Sequence, residues 1–294
     1  MIKNETENQY LTTIEELSGL LDRDDVIIID TREPENYLRE HIPGAINIYD
    51  IFSYLVTKDN GGYDALRKKF AELFGNAGIC RSERVVVYED AMDNGYGRSC
   101  RGFFILKHLG HQNVTVLHGG FQRWLEEKLP VSGIVPVPVK KIFPVNLDNS
   151  IILTWEEVLA SLDDPETILL DCRDRSEWIG ISSSPYGPDF TPRKGRIPGA
   201  VWIEWYEMMR HDGTIPWFKE PEELREVFAK VGITSESKIY TYCFKGARTS
   251  NVFISMKLAG INNVRNYFGS WNEWSRDLSL PIEQGYPRTK KELV

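Results

Sequence analysis

The chain repeats itself once, and no other feature limits its fold as much. Thr154-Trp155-Glu156-Glu157-Val158-Leu159 answers Thr13-Ile14-Glu15-Glu16-Leu17, and Ile168-Leu169-Leu170-Asp171-Cys172-Arg173 answers Ile28-Ile29-Asp30-Thr31-Arg32. Arg196-Ile197-Pro198-Gly199-Ala200-Val201 answers His41-Ile42-Pro43-Gly44-Ala45-Ile46. Val264–Tyr267 with Gly269–Trp274 answers Val114–Leu117 with Gly119–Trp124, and both copies close on Leu-Pro, at Leu129-Pro130 and Leu280-Pro281. Two copies predict tandem domains rather than a solenoid, and 294 residues leave room for two. Within each copy, short β-branched runs such as Val26–Asp30 and Val85–Tyr88 alternate with stretches of helical spacing. That pattern predicts α/β domains, each a mostly parallel sheet flanked by helices. We place the first domain at 1–131, a linker at 132–149 and the second domain at 150–294. The prolines and extended apolar residues of the linker predict a stiff strap lying over a surface.

Composition narrows the function. Hydrophobic residues make up 41% and charged residues 27%, ordinary for a soluble globular protein. No apolar run approaches a membrane span, and the first ten residues are polar and acidic without a leader pattern. The expectation is a cytoplasmic protein with no membrane partner. A net charge of −8 argues against a nucleic-acid partner. The four cysteines (Cys80, Cys100, Cys172, Cys243) lack zinc spacing and the five histidines lack ligand spacing, so neither a metal nor an organic cofactor is expected. Cys172, just after a buried run, reads as a core residue rather than a resolving thiol.

The copies differ at one strand end. Ile239–Tyr242 reads as a buried strand that stops at Cys243. Phe244-Lys245-Gly246-Ala247-Arg248 follows, and helical spacing resumes at Val252, Phe253, Met256 and Leu258, with Thr249 or Ser250 as the expected cap. Loop N–H groups, the helix N-terminus, Lys245 and Arg248 all favour negative charge, so Cys243 is expected to be a low-pKa thiol. The first copy has Tyr88-Glu89-Asp90 at the same place, with Cys100 well inside the next helix. Its carboxylates are expected to repel an anion, leaving that domain catalytically silent. The second copy also carries an insert, Ser182–Lys194, expected to wall the cleft, and Trp202–Trp205 and Trp217-Phe218 are further candidates to line it.

From about Leu11 to Ile282 these residues resemble a tandem-domain rhodanese family sulfurtransferase. The first family signature resembles I-I-D-T-R-E-P-E-N-Y with H-I-P-G-A, and L-L-D-C-R-D-R-S-E-W with R-I-P-G-A. The second resembles G-S-W-N-E-W at Gly269–Trp274, and the six-residue active loop resembles C-F-K-G-A-R at Cys243–Arg248. The resemblance implies two rhodanese-like domains, the first inactive and the second catalytic. It implies that the Cys243 thiolate takes the outer sulfur of a small anionic donor such as thiosulfate, releases sulfite, and passes its persulfide sulfur to a thiol, cyanide or protein thiol acceptor. Phe244, Lys245, Gly246, Ala247 and Arg248 would bind substrate, their N–H groups holding the charged sulfur and the Lys245 and Arg248 side chains the donor oxygens.

Two departures bear on the donor. Glu177 stands where thiosulfate and mercaptopyruvate enzymes of the animal type carry a donor-binding arginine, leaving Arg173 or Arg175 as nearest candidates. Arg173 is expected instead in a structural ion pair with Glu177. The aromatic, basic loop favours thiosulfate over 3-mercaptopyruvate, whose enzymes have small neutral loops. A rhodanese-fold phosphatase or arsenate reductase is disfavoured, because four residues separate Cys243 from Arg248 where the phosphatase loop has five. A non-catalytic sulfur-carrier module is the remaining alternative.

Overall fold

The computed structural model describes residues 9–21, 23–80, 82–91 and 95–286. Most of the N-terminal stretch read for a leader, and residues 92–94 of the first copy's loop, lie outside them. The chain forms two compact units, each discontinuous in sequence. One comprises Met1–Ser53, Arg67–Leu147 and His211–Trp217, the other Tyr54–Leu66, Asp148–Arg210 and Phe218–Val294.

The first unit is built on strands β1 (Leu11–Thr12), β2 (Val26–Asp30), β3 (Ile46–Asn47), β4 (Arg84–Tyr88) and β5 (Val114–Leu117), in the order β1-β5-β4-β2-β3 with every pair parallel. The second repeats it with β6 (Ile152–Leu153), β7 (Thr167–Asp171), β8 (Val201–Trp202), β11 (Lys238–Tyr242) and β12 (Val264–Tyr267); between β8 and β11 in the chain, β9 (Met209–Asp212) and β10 (Ile215–Phe218) form a separate two-stranded sheet. Its order is β6-β12-β11-β7-β8, again all parallel. This is the expected fold class, two α/β domains with parallel sheets flanked by helices. Buried apolar clusters form each core: Leu17, Ile42, Val86, Leu117 and Trp124 belong to one, and Leu153, Val158, Ile197, Tyr267 and Trp274 to the other. From Gly133 to Leu147 the strap forms neither helix nor strand, and it is tied to the first unit by Lys141 N to Gly75 O and Asn146 N to Leu109 O.

The repeated motifs have repeated jobs. Asp171, at the end of β7, accepts Arg173 Nε and an Nη, and a further bond from the Arg173 guanidinium reaches Gly195 O at 2.7 Å. Tyr242 O–H donates to the same carboxylate at 2.6 Å and accepts from Ile197 N. In the first unit Asp30, Arg32, Glu40 O, Tyr88 and Ile42 N repeat each bond. The D-x-R motif is therefore a strut fastening a strand end to the I-P-G-A turn, whose glycines, Gly44 and Gly199, have φ of 77° and 73°. A salt bridge between Arg173 and Glu177 does not form. Positions i and i+2 at an extended strand end project to the same side, so Asp171 takes Arg173. Both residues are fully buried, and Asp171 is the main attraction that raises the Arg173 pKa against burial.

Candidate active site

Cys243 emerges from the carboxyl end of β11, the middle strand of its sheet. Its Sγ receives the Gly246 N–H at 3.2 Å and lies 3.6 Å from the Thr249 hydroxyl and 3.9 Å from that of Ser270. The cap of the following helix, Ala247–Leu258, is Gly246 rather than Thr249 or Ser250. Gly246 has φ +89°, and a Cβ there would meet the Phe268 ring at 2.6 Å, so the tight turn needs glycine on two counts. Thr249 is thereby free to face the thiol, and Ser250 Oγ donates back to Gly246 O. The second signature clamps the loop from the other side. Trp271 N donates to Cys243 O and Asn272 N to Phe244 O. Cys243 N donates to Ser270 Oγ, held in turn by Tyr267 O, with Ser270 at φ +55°.

Burial alone would push the Cys243 thiol up. The Arg248 charge, the N–H and hydroxyl of Thr249 and the N–H of Lys245 outweigh it and set the pKa below that of an ordinary cysteine. Buried Arg248 also makes a two-pronged salt bridge to Glu177, at 2.6 and 3.0 Å, and reaches Asp174 at 3.0 Å. Glu177 is thus the counter-ion of the loop arginine. Arg248 supplies field to the thiol while its donor N–H groups are largely engaged by carboxylates. Lys245 stands over the Tyr186 ring at 4.9 Å. Phe244 is buried and meets Tyr186 and Phe190 edge-on at 5.5 and 5.8 Å, so the insert packs against the Cys243–Arg248 loop. Arg193 pins that insert through the carbonyls of Trp274, Ser275, Asp277 and Leu280. Ala247 opens the helix, nearly buried.

Other candidates stand elsewhere. Arg173 is spent on the strut, and Arg175 lies against the Tyr286 ring. Trp202 stacks on Trp178, Trp205 is fully buried, and Trp217 packs against His118. Among the described residues no group of three or more His, Cys, Asp or Glu is arranged to hold a metal, and no helix is long and apolar enough to cross a membrane. Thr249, Ser270, Asp174 and the Glu177–Arg248 pairing were not anticipated as parts of the site. The G-S-W signature carried the signal for Ser270, but the Glu177–Arg248 contact, across 71 residues, left none.

The first unit shows what happens without the thiol. Glu89 follows β4 as Cys243 follows β11, and Phe121 N donates to Glu89 O as Trp271 N does to Cys243 O. Its carboxyl is fully buried and accepts from Ser99 N and Ser99 Oγ in the first turn of the helix Gly97–His108. Burial pushes its pKa to about 8, against the smaller opposing pull of Ser99 and Arg98. The group is therefore mostly protonated at neutral pH, and it takes up the N–H and hydroxyl of Ser99 at the start of the helix. The native state keeps a proton that the unfolded chain has lost above about pH 4.5, so stability is full below that pH and falls as pH rises towards 8. Chemical denaturation of the full chain should show this group costing roughly 3 kcal/mol between pH 4 and 7, and Glu89→Gln should remove that part of the slope.

The chain matches the description "Rhodanese-like domain" at residues 13–127 and again at 154–277. It is 31% identical to a thiosulfate sulfurtransferase of Rattus norvegicus, over 82% of this chain and 80% of the relative. It is 32% identical to the sulfur carrier protein TtuD of Thermus thermophilus, over 89% of each. Among solved structures, a cysteine-persulfide form of EanB with ergothioneine superposes with a TM-score of 0.81 at 27% identity, covering 95% of this chain and 71% of that one.

Proposed function

The chain belongs to the rhodanese family, whose domain it carries twice, and on that premise we propose that it transfers a sulfane sulfur from thiosulfate to a thiophilic acceptor through a persulfide on Cys243. The observation that carries the reading is the Cys243 thiol itself, fixed under a helix N-terminus with Gly246 N–H on its sulfur and its pKa lowered. A thiolate there attacks the outer sulfur of the donor. Sulfite leaves with the electrons of the S–S bond, and the persulfide anion inherits the N–H groups that held the thiolate. An acceptor thiolate or cyanide then takes the outer sulfur and returns Cys243. Sulfur transfer by the relatives, and the persulfide in the EanB structure, support the chemistry. Arg248, tied to Glu177, tunes the thiol, and donor oxygens fall to loop N–H groups and Lys245. We infer further that the unit bearing Glu89 is silent and that the protein works in the cytoplasm.

The test compares thiosulfate with 3-mercaptopyruvate as donors to cyanide and scores p-nitrophenyl phosphate in parallel. Thiosulfate should give ping-pong kinetics and a gain of about 32 Da on Cys243 before acceptor is added. A clear preference for mercaptopyruvate would replace the donor, and phosphate turnover without sulfur transfer would overturn the reading.

A further inference from the structure

Cys243 has a second cysteine beside it. β7 and β11 are adjacent and parallel, their ladder ends at Tyr242 opposite Asp171, and Cys172 N donates to Tyr242 O at 3.0 Å. Cys172 therefore follows β7 just as Cys243 follows β11. Asp171 and Tyr242 meet on one face of the sheet through their side-chain hydrogen bond, so by alternation the next residues turn to the other face, where the helix Ala247–Leu258 begins. Both thiols are buried, and burial first, then the charge on Cys243, raises the Cys172 pKa. Neighbouring strands run about 4.8 Å apart, inside the Cα window of roughly 4.4–6.8 Å that a disulfide spans. The first unit has Thr31 at the position of Cys172, its N–H on Tyr88 O in the same way, and Glu89 at that of Cys243. Only the unit with the reactive thiol carries the second one.

We propose that Cys172 is a resolving thiol for Cys243. The step rests on the persulfide reading above. Cys172 sulfur attacks Cys243 Sγ, a Cys172–Cys243 bond forms, and the bond from Cys243 to the outer sulfur breaks. The outer sulfur leaves with the bonding electrons, takes the Cys172 proton and departs as HS⁻. Cys172 is oxidised and the sulfane sulfur is reduced, so no outside oxidant is required. Because burial and the nearby negative charges of Cys243 and Asp171 keep Cys172 protonated, its thiolate is rare and the step is slow. An abundant acceptor outruns it. Without acceptor, the protein discharges sulfide and stores its active thiol as a disulfide until a reductant restores it.

The experiment uses the full chain, loaded with thiosulfate and stripped of excess donor, followed by intact mass and released sulfide without acceptor. Wild type should pass from a gain of about 32 Da to a loss of about 2 Da, with one equivalent of sulfide and a cross-linked Cys172–Cys243 peptide. Cys172→Thr, the residue the first unit uses there, should hold the added sulfur and release sulfide at least about tenfold more slowly; Cys172→Ser serves if the threonine variant melts early. Equal sulfide release by wild type and both variants overturns the proposal. A second arm treats unloaded protein with diamide, a two-electron thiol oxidant. The cross-linked pair there, with no loading by thiosulfate, supports the pairing and counts only against the donor. Failure of diamide to join a Cys243 that iodoacetamide still alkylates overturns it.

Discussion

Replacing Cys243 with serine is expected to stop sulfur loading, with transfer from thiosulfate to cyanide falling by on the order of 10³-fold or more. The substitution removes one polarisable atom from a site whose every other contact is backbone or hydroxyl. The Oγ of the Cys243→Ser variant would keep the Gly246 N–H and the Thr249 neighbour, so the fold should be unchanged. A hydroxyl cannot ionise near neutrality as this thiol does, and oxygen cannot form the persulfide. The wild-type pH profile gives a second reading. Because the folded thiol titrates below the ordinary value of about 9, loading should be at full rate above its pKa and fade as pH drops through it. Iodoacetamide alkylation across pH measures the same ionisation without a donor. A serine variant that still gains the sulfur mass would end the case for Cys243.

Arg248→Ala and Glu177→Ala should each destabilise the protein by about 3–5 kcal/mol, because the first leaves Glu177 buried without its partner and the second leaves buried Arg248 with only the half-buried Asp174. Replacing both by methionine should cost far less than the sum, since the pair is lost together and its volume is kept. Urea denaturation of the two singles and the double closes this cycle. The thiol separates the two partners. Losing Arg248 removes the strongest pull on the Cys243 pKa and should raise it; losing Glu177 unmasks the guanidinium and should lower it further. Opposite shifts in the alkylation profile, at comparable losses of stability, would identify Arg248 as the tuner of the thiol. Shifts in the same direction would show a loop that has simply loosened.

Much of this was legible because it is local or repeated. The β-branched runs, the strand end at Cys243 and the Gly-rich turns are short-range patterns, and the second copy supplied a control for the first. The Glu89 substitution could be read as an absence of catalysis, but its physical form could not. Carboxylates look charged in a sequence; full burial keeps this one mostly neutral at pH 7. The arginines failed for a similar reason. Arg173 and Arg248 are near enough in type and place to be exchanged in a sequence argument, yet the pleat gives one to Asp171 and the packing of a remote turn gives the other to Glu177 and Asp174. Ser270 approaches Cys243 only because β12 lies beside β11, a neighbour relation the linear pattern does not state.

The strut of Asp171, Arg173 and Tyr242 shares no side chain with the set around the thiol, Cys243, Thr249, Arg248 and Glu177. The first unit has kept the strut, bond for bond, while its loop has been rewritten around Glu89. Scaffold and chemistry are thus written in separate residues of one motif-bearing domain, and the chain carries its own precedent for changing the second without the first. The stretch between strand and helix is thus an exchangeable cassette, able to differ between the copies while the bonds that fasten each strand end to its turn stay the same.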